Sequence, residues 1–202
     1  MTFCLDAIIL EPEGNAEIKN AIILLHGYGG DGKDISMLTY NWRRHLPNTI
    51  FICPDGHEPC SINPSGFQWF DLTKDEPSYI LDQSIKAEKI LKEFIDEIKN
   101  KFNLKNDKIC LSGFSQGCMM SINLGLTSEE EYCCVIGFSG KIINQEDLKK
   151  QKKISTKTLL IHGELDQVVH PNFMLEAKDF FIRNNIDIET HLLKNCDHNI
   201  PI

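Results

Sequence analysis

The sequence predicts an α/β fold, in which a mostly parallel central sheet carries helices on both faces and no separate lid domain is inserted. Two observations lead to this prediction: short apolar runs alternate with stretches of helical periodicity, and strands that alternate with helices usually form parallel sheets. The 202-residue length predicts a single domain over residues 1–202 with a sizeable core. The apolar runs predict strands at Ile22–Leu25, Ile50–Cys53, Ile109–Leu111, Cys133–Phe138, Leu159–Ile161 and Ile186–Leu193.

Three segments between these strands are predicted to be helical. The longest, Ser78–Phe102, has apolar residues at helical spacing, and the preceding Glu76-Pro77 is a helix start signal. Asp34 is a candidate cap for a helix that continues to Leu46. A further helix is predicted over Asn172–Asn184.

The segment Gly113-Phe114-Ser115-Gln116-Gly117 joins a predicted strand to an apolar helix-like stretch. A serine between two glycines at such a turn is the pattern of a nucleophile elbow. The turn holds the serine in a strained backbone conformation, and the small flanking residues let neighbouring backbone pass close by. The same pattern also fits a glycine-rich turn of any α/β protein, so the interpretation depends on catalytic partners for the serine.

Two candidate partners follow Ser115 in the order that such a hydrolase requires, first an acid and then a histidine. Asp166 lies on the loop just after a predicted strand, and His198 follows the last predicted strand. Because catalytic residues gather at the carboxyl ends of parallel strands, all three are expected at one edge of the sheet. Glu164 is the nearest alternative acid, and an ordinary exposed loop position is the alternative for His198.

The remaining histidines fit other positions. His45 and His57 precede Ser115, which is the wrong order for this arrangement, and His162 lies at a predicted strand end. His170 is expected at a helix start and His191 within a strand.

The chemistry explains why these three residue types belong together. A serine hydroxyl is a poor nucleophile at neutral pH, so a base must accept its proton during attack. His198 suits this task because the pKa of histidine lies near neutral pH. The carboxylate of Asp166 would orient the imidazole and stabilise the imidazolium.

A glycine-rich loop after the first predicted parallel strand supplies a candidate oxyanion hole. The loop begins His26-Gly27-Tyr28-Gly29, and hydrolases of this type place a second oxyanion donor there. The backbone N–H of Tyr28 would pair with that of Gln116, while His26 would fix the loop. The alternative is a phosphate-binding loop, but the segment has neither the Lys-Ser/Thr of a Walker motif nor Gly-x-Gly-x-x-Gly.

Together these motifs resemble the phospholipase/carboxylesterase branch of the α/β-hydrolases, the group that includes the acyl-protein thioesterases. The resemblance extends from about Ala21 to Ile200. It implies that Ser115, Asp166 and His198 form the triad. It also implies that the amides of Tyr28 and Gln116 form the oxyanion hole, and that carboxylic esters and acyl thioesters are hydrolysed without a cofactor. The matching segments are Leu25–Gly30, Pro54–Gly56, Gln68–Asp71, Gly113–Gly117, His162–Val169 and His198–Ile200.

Composition excludes several other classes. The net charge is −8 and the only basic cluster, Lys149–Lys153, is a predicted helix end and loop, so nucleic-acid binding is not expected. No apolar run reaches the roughly 18 residues of a membrane span. The first residues lack a signal-peptide pattern, which predicts a cytoplasmic protein. Its cysteines are then unpaired, small buried hydrophobes at Cys53, Cys110, Cys133 and Cys134, and no zinc-ligand spacing is present, so no metal is expected.

Substrate choice is expected to lie in the long connection from Pro54 to Pro77. Phe67, Trp69 and Phe70 are predicted to line an acyl groove beside Ser115; a small satellite core under a surface loop is the alternative. The expected substrate is a small-molecule acyl ester or thioester, with lysophospholipid or acylated protein among the candidates. A serine peptidase or amidase, and a non-catalytic binding protein with this fold, are the other hypotheses. The chain is expected to be a monomer or a homodimer.

Overall fold

The computed structural model describes residues 3–152 and 154–201. Within them, seven strands form one sheet, and the two remaining short strands pair with each other. The strands are β1 (Ala7–Leu10), β2 (Asn20–Leu25), β3 (Thr49–Pro54), β4 (Glu58–Pro59), β5 (Phe67–Gln68), β6 (Ile109–Phe114), β7 (Cys134–Phe138), β8 (Thr158–Gly163) and β9 (Ile188–Leu193). The sheet has the order β1-β3-β2-β6-β7-β8-β9. Only its first pair, β1 with β3, is antiparallel.

Helices cover both faces of this sheet. Successive residues of a strand point to opposite faces, so the sheet contributes side chains to a core on each side. Ile23 and Leu25 of β2 belong to the larger core, and Leu24 belongs to a smaller core on the other side. The fold prediction is confirmed, and no lid domain is inserted in the described residues. The helices are α1 (Gly32–Ser36), α2 (Thr39–Trp42), α3 (Pro77–Phe102), α4 (Gln116–Thr127), α5 (Gln145–Gln151) and α6 (Asn172–Arg183).

Helix α3 begins one residue earlier than predicted, with Pro77 in its first turn. Proline is favoured there because its missing N–H would have no partner inside the helix. Leu91 and Phe94 are among the residues that this helix buries in the larger core. Asn103 ends the helix in the left-handed conformation, with φ of 51°. No described helix has both the length and the apolar composition needed to cross a bilayer.

The predicted helix from Asp34 to Leu46 is wrong in its cap and its continuity. Asp31, not Asp34, is the cap: its Oδ1 accepts the Asp34 N–H at 2.7 Å. The segment then divides into α1, α2 and a short 3₁₀ turn. A single helix would require one continuous apolar face, whereas only Ile35, Ser36 and Thr39 are buried between residues 33 and 46.

Helix α4 follows the candidate nucleophile and is buried along its whole length. An all-round buried helix needs close packing against its neighbours. Cys118 meets the sheet where β7 ends: a Cβ on either Gly137 or Gly140 would lie 2.4 Å from its sulfur. The glycines therefore provide the space that this cysteine occupies.

Other sequence predictions differ from the structure in detail. Cys53 and Cys110 are buried as predicted, but Cys133 is exposed and Cys134 only half-buried. Cys133 precedes β7 in a bend, so it lacks the strand environment that its apolar neighbours suggested. Strand β1 and the β4–β5 hairpin were not predicted, and of helix α5 only its end near Lys149 was, because segments of two to seven residues show little periodicity.

Candidate active site

Ser115 lies at a sharp turn between the last residue of β6 and the first of α4. Its backbone has φ of 52° and ψ of −113°, a region that non-glycine residues rarely occupy and that functional sites often retain. The flanking glycines are required by close packing. A Cβ on Gly117 would lie 2.2 Å from the Leu25 carbonyl oxygen, and one on Gly113 would lie 2.3 Å from the Gly117 carbonyl carbon.

The structure brings Ser115, His198 and Asp166 together from three different loops. His198 Nε2 lies 3.1 Å from Ser115 Oγ, and His198 Nδ1 lies 2.7 Å from Asp166 Oδ2. An ionised carboxylate can only accept, so Nδ1 carries a proton. In the neutral imidazole, Nε2 is then free to accept the serine proton. The ring of Phe114 packs against the imidazole with a centroid separation of 4.8 Å.

Asp166 is buried and held by several donors. Its Oδ1 accepts the N–H groups of Val168 at 2.9 Å and Val169 at 2.8 Å. Burial alone would raise the pKa of Asp166, but the hydrogen bond from His198, together with those backbone N–H groups, lowers it. His162 Nε2 lies 3.3 Å from Asp166 Oδ2 and 2.6 Å from the Val169 carbonyl oxygen. The site therefore maintains Asp166 as a carboxylate.

The loop that carries His198 is fixed against the loop that carries Asp166. The Glu164 N–H donates to Leu193 O at 2.9 Å, and the Leu165 N–H donates to Cys196 O at 2.8 Å. Gly163 allows this approach, since a Cβ there would lie 2.3 Å from the Asp197 carbonyl oxygen. Glu164, the alternative acid, contributes its backbone to this junction, and its side chain is exposed rather than facing the imidazole.

His26 lies beneath the glycine-rich loop and is almost completely buried. Its Nδ1 is 2.7 Å from the Gly27 carbonyl oxygen, and its Nε2 accepts the Gly56 N–H at 2.9 Å. This pattern requires the neutral tautomer with a proton on Nδ1. Burial lowers the pKa of His26, which also favours the neutral ring. His26 thereby joins two loops at the sheet edge.

The backbone amides of Tyr28 and Gln116 belong to residues that line the same cavity as Ser115. Gln116 is the first residue of α4, so its N–H has no acceptor within the helix. The two amides after Tyr28 are occupied, because Gly29 N–H donates to Phe67 O and Gly30 N–H to Gly27 O. Within residues 3–152 and 154–201, neither the Tyr28 nor the Gln116 amide has such an acceptor.

Two cavities meet at the catalytic edge, and each has a volume of about 300 Å³ or more. The first, of about 340 Å³, contacts His198 and has apolar walls beside the carboxylates of Asp31 and Asp34. The second, of about 330 Å³, contacts Ser115 and Gln116 but not His198. Its other walls come mainly from the loop before α3, from the residues after β7 and from the Asp166 loop: Phe70, Leu72, Ile80, Met119, Ile143 and Val168.

Of the three aromatic residues predicted to line an acyl groove, Phe70 lines the second cavity. Trp69 has no exposed surface and belongs to the larger core, so it does not line the groove. Its indole N–H donates to the His26 carbonyl oxygen at 2.9 Å. Phe67 is half-buried in β5, where it pairs with Pro59. The loop thus contributes Phe70 to the wall of the second cavity and Trp69 to the larger core.

The side chain of Gln116 is a positioning group that the sequence did not indicate. Its Oε1 accepts the Trp69 N–H at 2.8 Å, and its Nε2 donates to the Phe70 carbonyl oxygen at 2.7 Å. These bonds tie the start of α4 to the cavity wall. The available sequence signal was a long polar side chain at the start of an otherwise apolar helix.

Comparison with known proteins identifies the family of this chain. The profile of the family described as Phospholipase/Carboxylesterase matches residues 7–202. The chain belongs to the phospholipase/carboxylesterase family. It is therefore a carboxylic ester hydrolase with the α/β-hydrolase fold.

Relatives and solved structures extend this assignment. Acyl-protein thioesterase 1 of Emericella nidulans is 31% identical over 172 residues, covering 75% of this chain and 71% of the relative. Its namesake in Yarrowia lipolytica is 27% identical over 179 residues, covering 80% and 75%. The crystal structure of esterase PE8 superposes with a TM-score of 0.92 at 34% identity, covering 98% of this chain and 92% of that one. A carboxylesterase from Mesorhizobium loti, at 20% identity and a TM-score of 0.78, covers 100% and 91% and shares the fold.

Proposed function

We propose that this carboxylic ester hydrolase is a serine enzyme that works through Ser115, His198 and Asp166 and an acyl-enzyme intermediate. The observation that carries the proposal is the continuous chain of contacts from Asp166 Oδ2 through the imidazole to Ser115 Oγ, at 2.7 Å and 3.1 Å. Both distances are within the range for a nucleophile, its base and an orienting acid.

In this mechanism His198 Nε2 accepts the hydroxyl proton as Ser115 Oγ attacks the acyl carbon. The tetrahedral intermediate collapses when the imidazolium gives that proton to the leaving alcohol or thiol. Water then attacks the acyl-enzyme with His198 again as base, and the carboxylic acid and free serine are released. Asp166 keeps the imidazole in the required tautomer and stabilises the imidazolium, without taking the proton itself.

The N–H groups of Tyr28 and Gln116 are proposed to bind the oxyanion of the tetrahedral intermediate. Support comes from the place of Tyr28 and Gln116 with Ser115 in the lining of one cavity, and from the freedom of their amides from backbone acceptors in the described part of the chain. Removing one such donor typically costs about 10²–10³ in turnover.

The two cavities are assigned by their relation to His198. The leaving group must receive a proton from Nε2, so the cavity that contacts His198 takes the alcohol or thiol. The cavity that contacts Ser115 and Gln116 without His198 takes the acyl chain. Its volume of about 330 Å³ and its largely apolar walls suit a short or medium acyl chain.

Thioesters are included among the proposed substrates because the relatives cited above are named acyl-protein thioesterases. An acylated protein or a lysophospholipid would present its acyl chain to the same cavity. We place this activity in the cytoplasm, since all eight cysteines are free thiols, as is usual in reducing compartments.

The test is hydrolysis of p-nitrophenyl esters from acetyl to palmitoyl, with a matched acyl thioester of a small thiol. Ser115→Ala should lower kcat by about 10⁶-fold while retaining the thermal unfolding temperature within a few degrees. A short reaction quenched in acid should leave one acyl group on the Ser115 peptide, detected as a mass increase. Undiminished turnover by purified Ser115→Ala would refute the assignment of the nucleophile.

Asp166→Asn is the second arm, with Glu164→Gln as its matched control. The amide at position 166 should lower kcat by about 10⁴-fold, because it no longer selects the productive imidazole tautomer. Glu164→Gln should retain full activity, since that side chain is exposed and the carboxylate bonded to His198 Nδ1 is that of Asp166. The reverse ranking would assign the acid to Glu164.

A further inference from the structure

Among the described residues that line the proposed acyl cavity, Lys141 is the one cationic residue. It follows Gly140 just after β7, and Gly140 lies against the elbow: a Cβ there would be 3.2 Å from the Ser115 carbonyl oxygen. The lysine therefore leaves the backbone beside the nucleophile and not at a distant rim. Its flexible stem can place the ammonium group inside or across the cavity.

In the described part of the chain, the ammonium group of Lys141 has an aromatic partner but no acidic one. It lies 4.9 Å from the ring centroid of Phe173, a cation–π contact. Among the ion pairs of residues 3–152 and 154–201, none includes Lys141. The side chain is half-buried, so solvent screens its charge only in part.

One carboxylate, Asp75, lines the same cavity. Asp75 is exposed, and it belongs to the loop before α3. It is not within ion-pair distance of Lys141 and is more strongly screened by solvent. Of the two charged residues that line this cavity, Lys141 is therefore the less screened, although the chain as a whole is acidic.

We propose that Lys141 selects acyl groups that carry an anionic end, so that half-esters or half-thioesters of short dicarboxylic acids are preferred substrates. The carbonyl carbon would lie at Ser115, the methylene chain against Phe70 and Met119, and the distal carboxylate at the Lys141 ammonium group. This inference rests on the proposed function, because it needs Ser115 as the nucleophile and this cavity as the acyl site.

The experiment compares kcat/KM for mono-p-nitrophenyl succinate, glutarate and adipate with kcat/KM for p-nitrophenyl esters of uncharged acids of equal length. Each anionic-to-neutral ratio is measured in the wild type and in Lys141→Met, which keeps the stem and removes the charge. We expect the ratio to fall about tenfold for the best chain length, the effect of one partly screened ion pair. Raising the salt concentration should lower the ratio in the wild type and leave it unchanged in Lys141→Met.

Lys74→Met is the matched control. Lys74 also lies over an aromatic ring, that of Tyr79 at 4.7 Å, but it does not line the cavity, so its loss should leave the ratio unchanged. A third comparison uses 4-acetoxybenzoate, whose leaving group carries the negative charge, and its methyl ester, whose leaving group is uncharged. Lys141→Met should not alter that pair.

The outcomes are distinguishable. If Ser115→Ala hydrolyses neutral esters as well as the wild type does, the proposed function fails, and this inference fails with it. If neutral esters are hydrolysed through Ser115 and the anionic ratio is the same in wild type and Lys141→Met, only the inference is overturned. A Lys141→Met effect confined to the 4-acetoxybenzoate pair would overturn the acyl-side assignment.

Discussion

At the scale of single residues, the nucleophile turn depends on a glycine, because its position leaves no room for a Cβ. Gly117 lies where a Cβ would be 2.2 Å from the Leu25 carbonyl oxygen. That oxygen belongs to β2, so it cannot move without the sheet. The turn therefore accepts only glycine at this position, whatever its neighbours.

Gly117→Ala is expected to destabilise the protein by more than about 3 kcal/mol, because the added Cβ would clash with backbone atoms of a packed strand. Gly14→Ala is the comparison. Gly14 has φ of +65° but no atom within 4 Å of an added Cβ, so only the conformational cost of about 1–2 kcal/mol applies. Urea unfolding measures both. Equal losses in the two variants would contradict the clash between an added Cβ and the Leu25 carbonyl oxygen.

Cys134 shows a second residue-scale effect. Hydrogen bonding with the Cys110 side chain, opposed by burial and aided by Cys133 and the charge of Lys157, lowers the pKa of Cys134 to about 6. Burial, followed by the charge of Glu97, raises the pKa of Cys4 to about 11. At neutral pH the two thiols therefore differ in thiolate content.

Iodoacetamide at pH 7 should modify Cys134 at least about tenfold faster than Cys4, even after allowing for the lower nucleophilicity of a less basic thiolate. Peptide masses after cleavage at glutamate follow the two sites, because Glu129–Glu131 separate Cys134 from Cys110. The peptide after Glu131 also carries Cys133, so Cys134→Ser is the control that gives the part of the modification due to Cys133. Faster modification of Cys4 than of Cys134 would contradict the lowered pKa of Cys134.

At the scale of elements, the site depends on how helix α4 meets the loop that precedes α3. Gln116 makes two hydrogen bonds to that loop, to Trp69 N–H and to Phe70 O. Gln116→Ala keeps its own backbone amide but leaves a buried N–H and a buried carbonyl without partners, at a cost of about 1–3 kcal/mol each. The wall at Phe70 should then shift.

The expected kinetic result is a larger fall in kcat/KM for p-nitrophenyl octanoate than for the acetate, because only the longer chain reaches the Phe70 wall. Gln68→Ala is a matched control from the same loop. It removes three hydrogen bonds, with Ser61 N–H, Ser61 Oγ and Glu58 Oε2, but Gln68 does not line the cavity. An equal fall for both esters in Gln116→Ala would assign Gln116 to stability alone.

These contacts explain what the sequence could and could not predict. The chain order of Ser115, Asp166 and His198 relative to strand ends was readable, because parallel strands bring their carboxyl ends to one edge. The roles of His162 and of the Gln116 side chain could not be predicted from the sequence. Both contact backbone groups that no sequence pattern identifies, and those that Gln116 contacts are also remote in sequence. Trp69 was misplaced because an irregular loop has no periodicity to show which aromatic faces the core.

At the scale of the whole molecule, a buried carboxylate links the two helices behind the nucleophile. Glu88 of α3 accepts hydrogen bonds from Thr127 at 2.6 Å and Asn123 at 2.9 Å, both on α4, and from Lys92 at 2.6 Å. Burial would raise the pKa of Glu88, but these hydrogen bonds and the charge of Lys92 lower it. Folding therefore favours the ionised form of Glu88.

This preference fixes the sign of the pH dependence. A carboxyl group whose pKa is lower in the folded state stabilises the protein above its unfolded pKa of about 4.3. The contribution is lost as pH falls through the lowered folded pKa. Asp166 acts in the same direction, because its pKa is also lowered on folding.

Glu88→Gln should therefore cost about 1–3 kcal/mol at pH 7, and the difference from wild type should shrink as the pH falls below 4. Urea unfolding at intervals from pH 7 to pH 3 gives both curves, with the exposed Glu176→Gln as the control for a surface carboxylate. The hydrogen bonds of Glu88 join α3 to α4, and the first residue of α4 follows Ser115. In the wild type and in Glu88→Gln alike, ester hydrolysis should therefore decline as the folded fraction falls. Parallel stability curves across the whole range would mean that the Glu88 carboxylate is no better stabilised in the folded protein than in the unfolded chain.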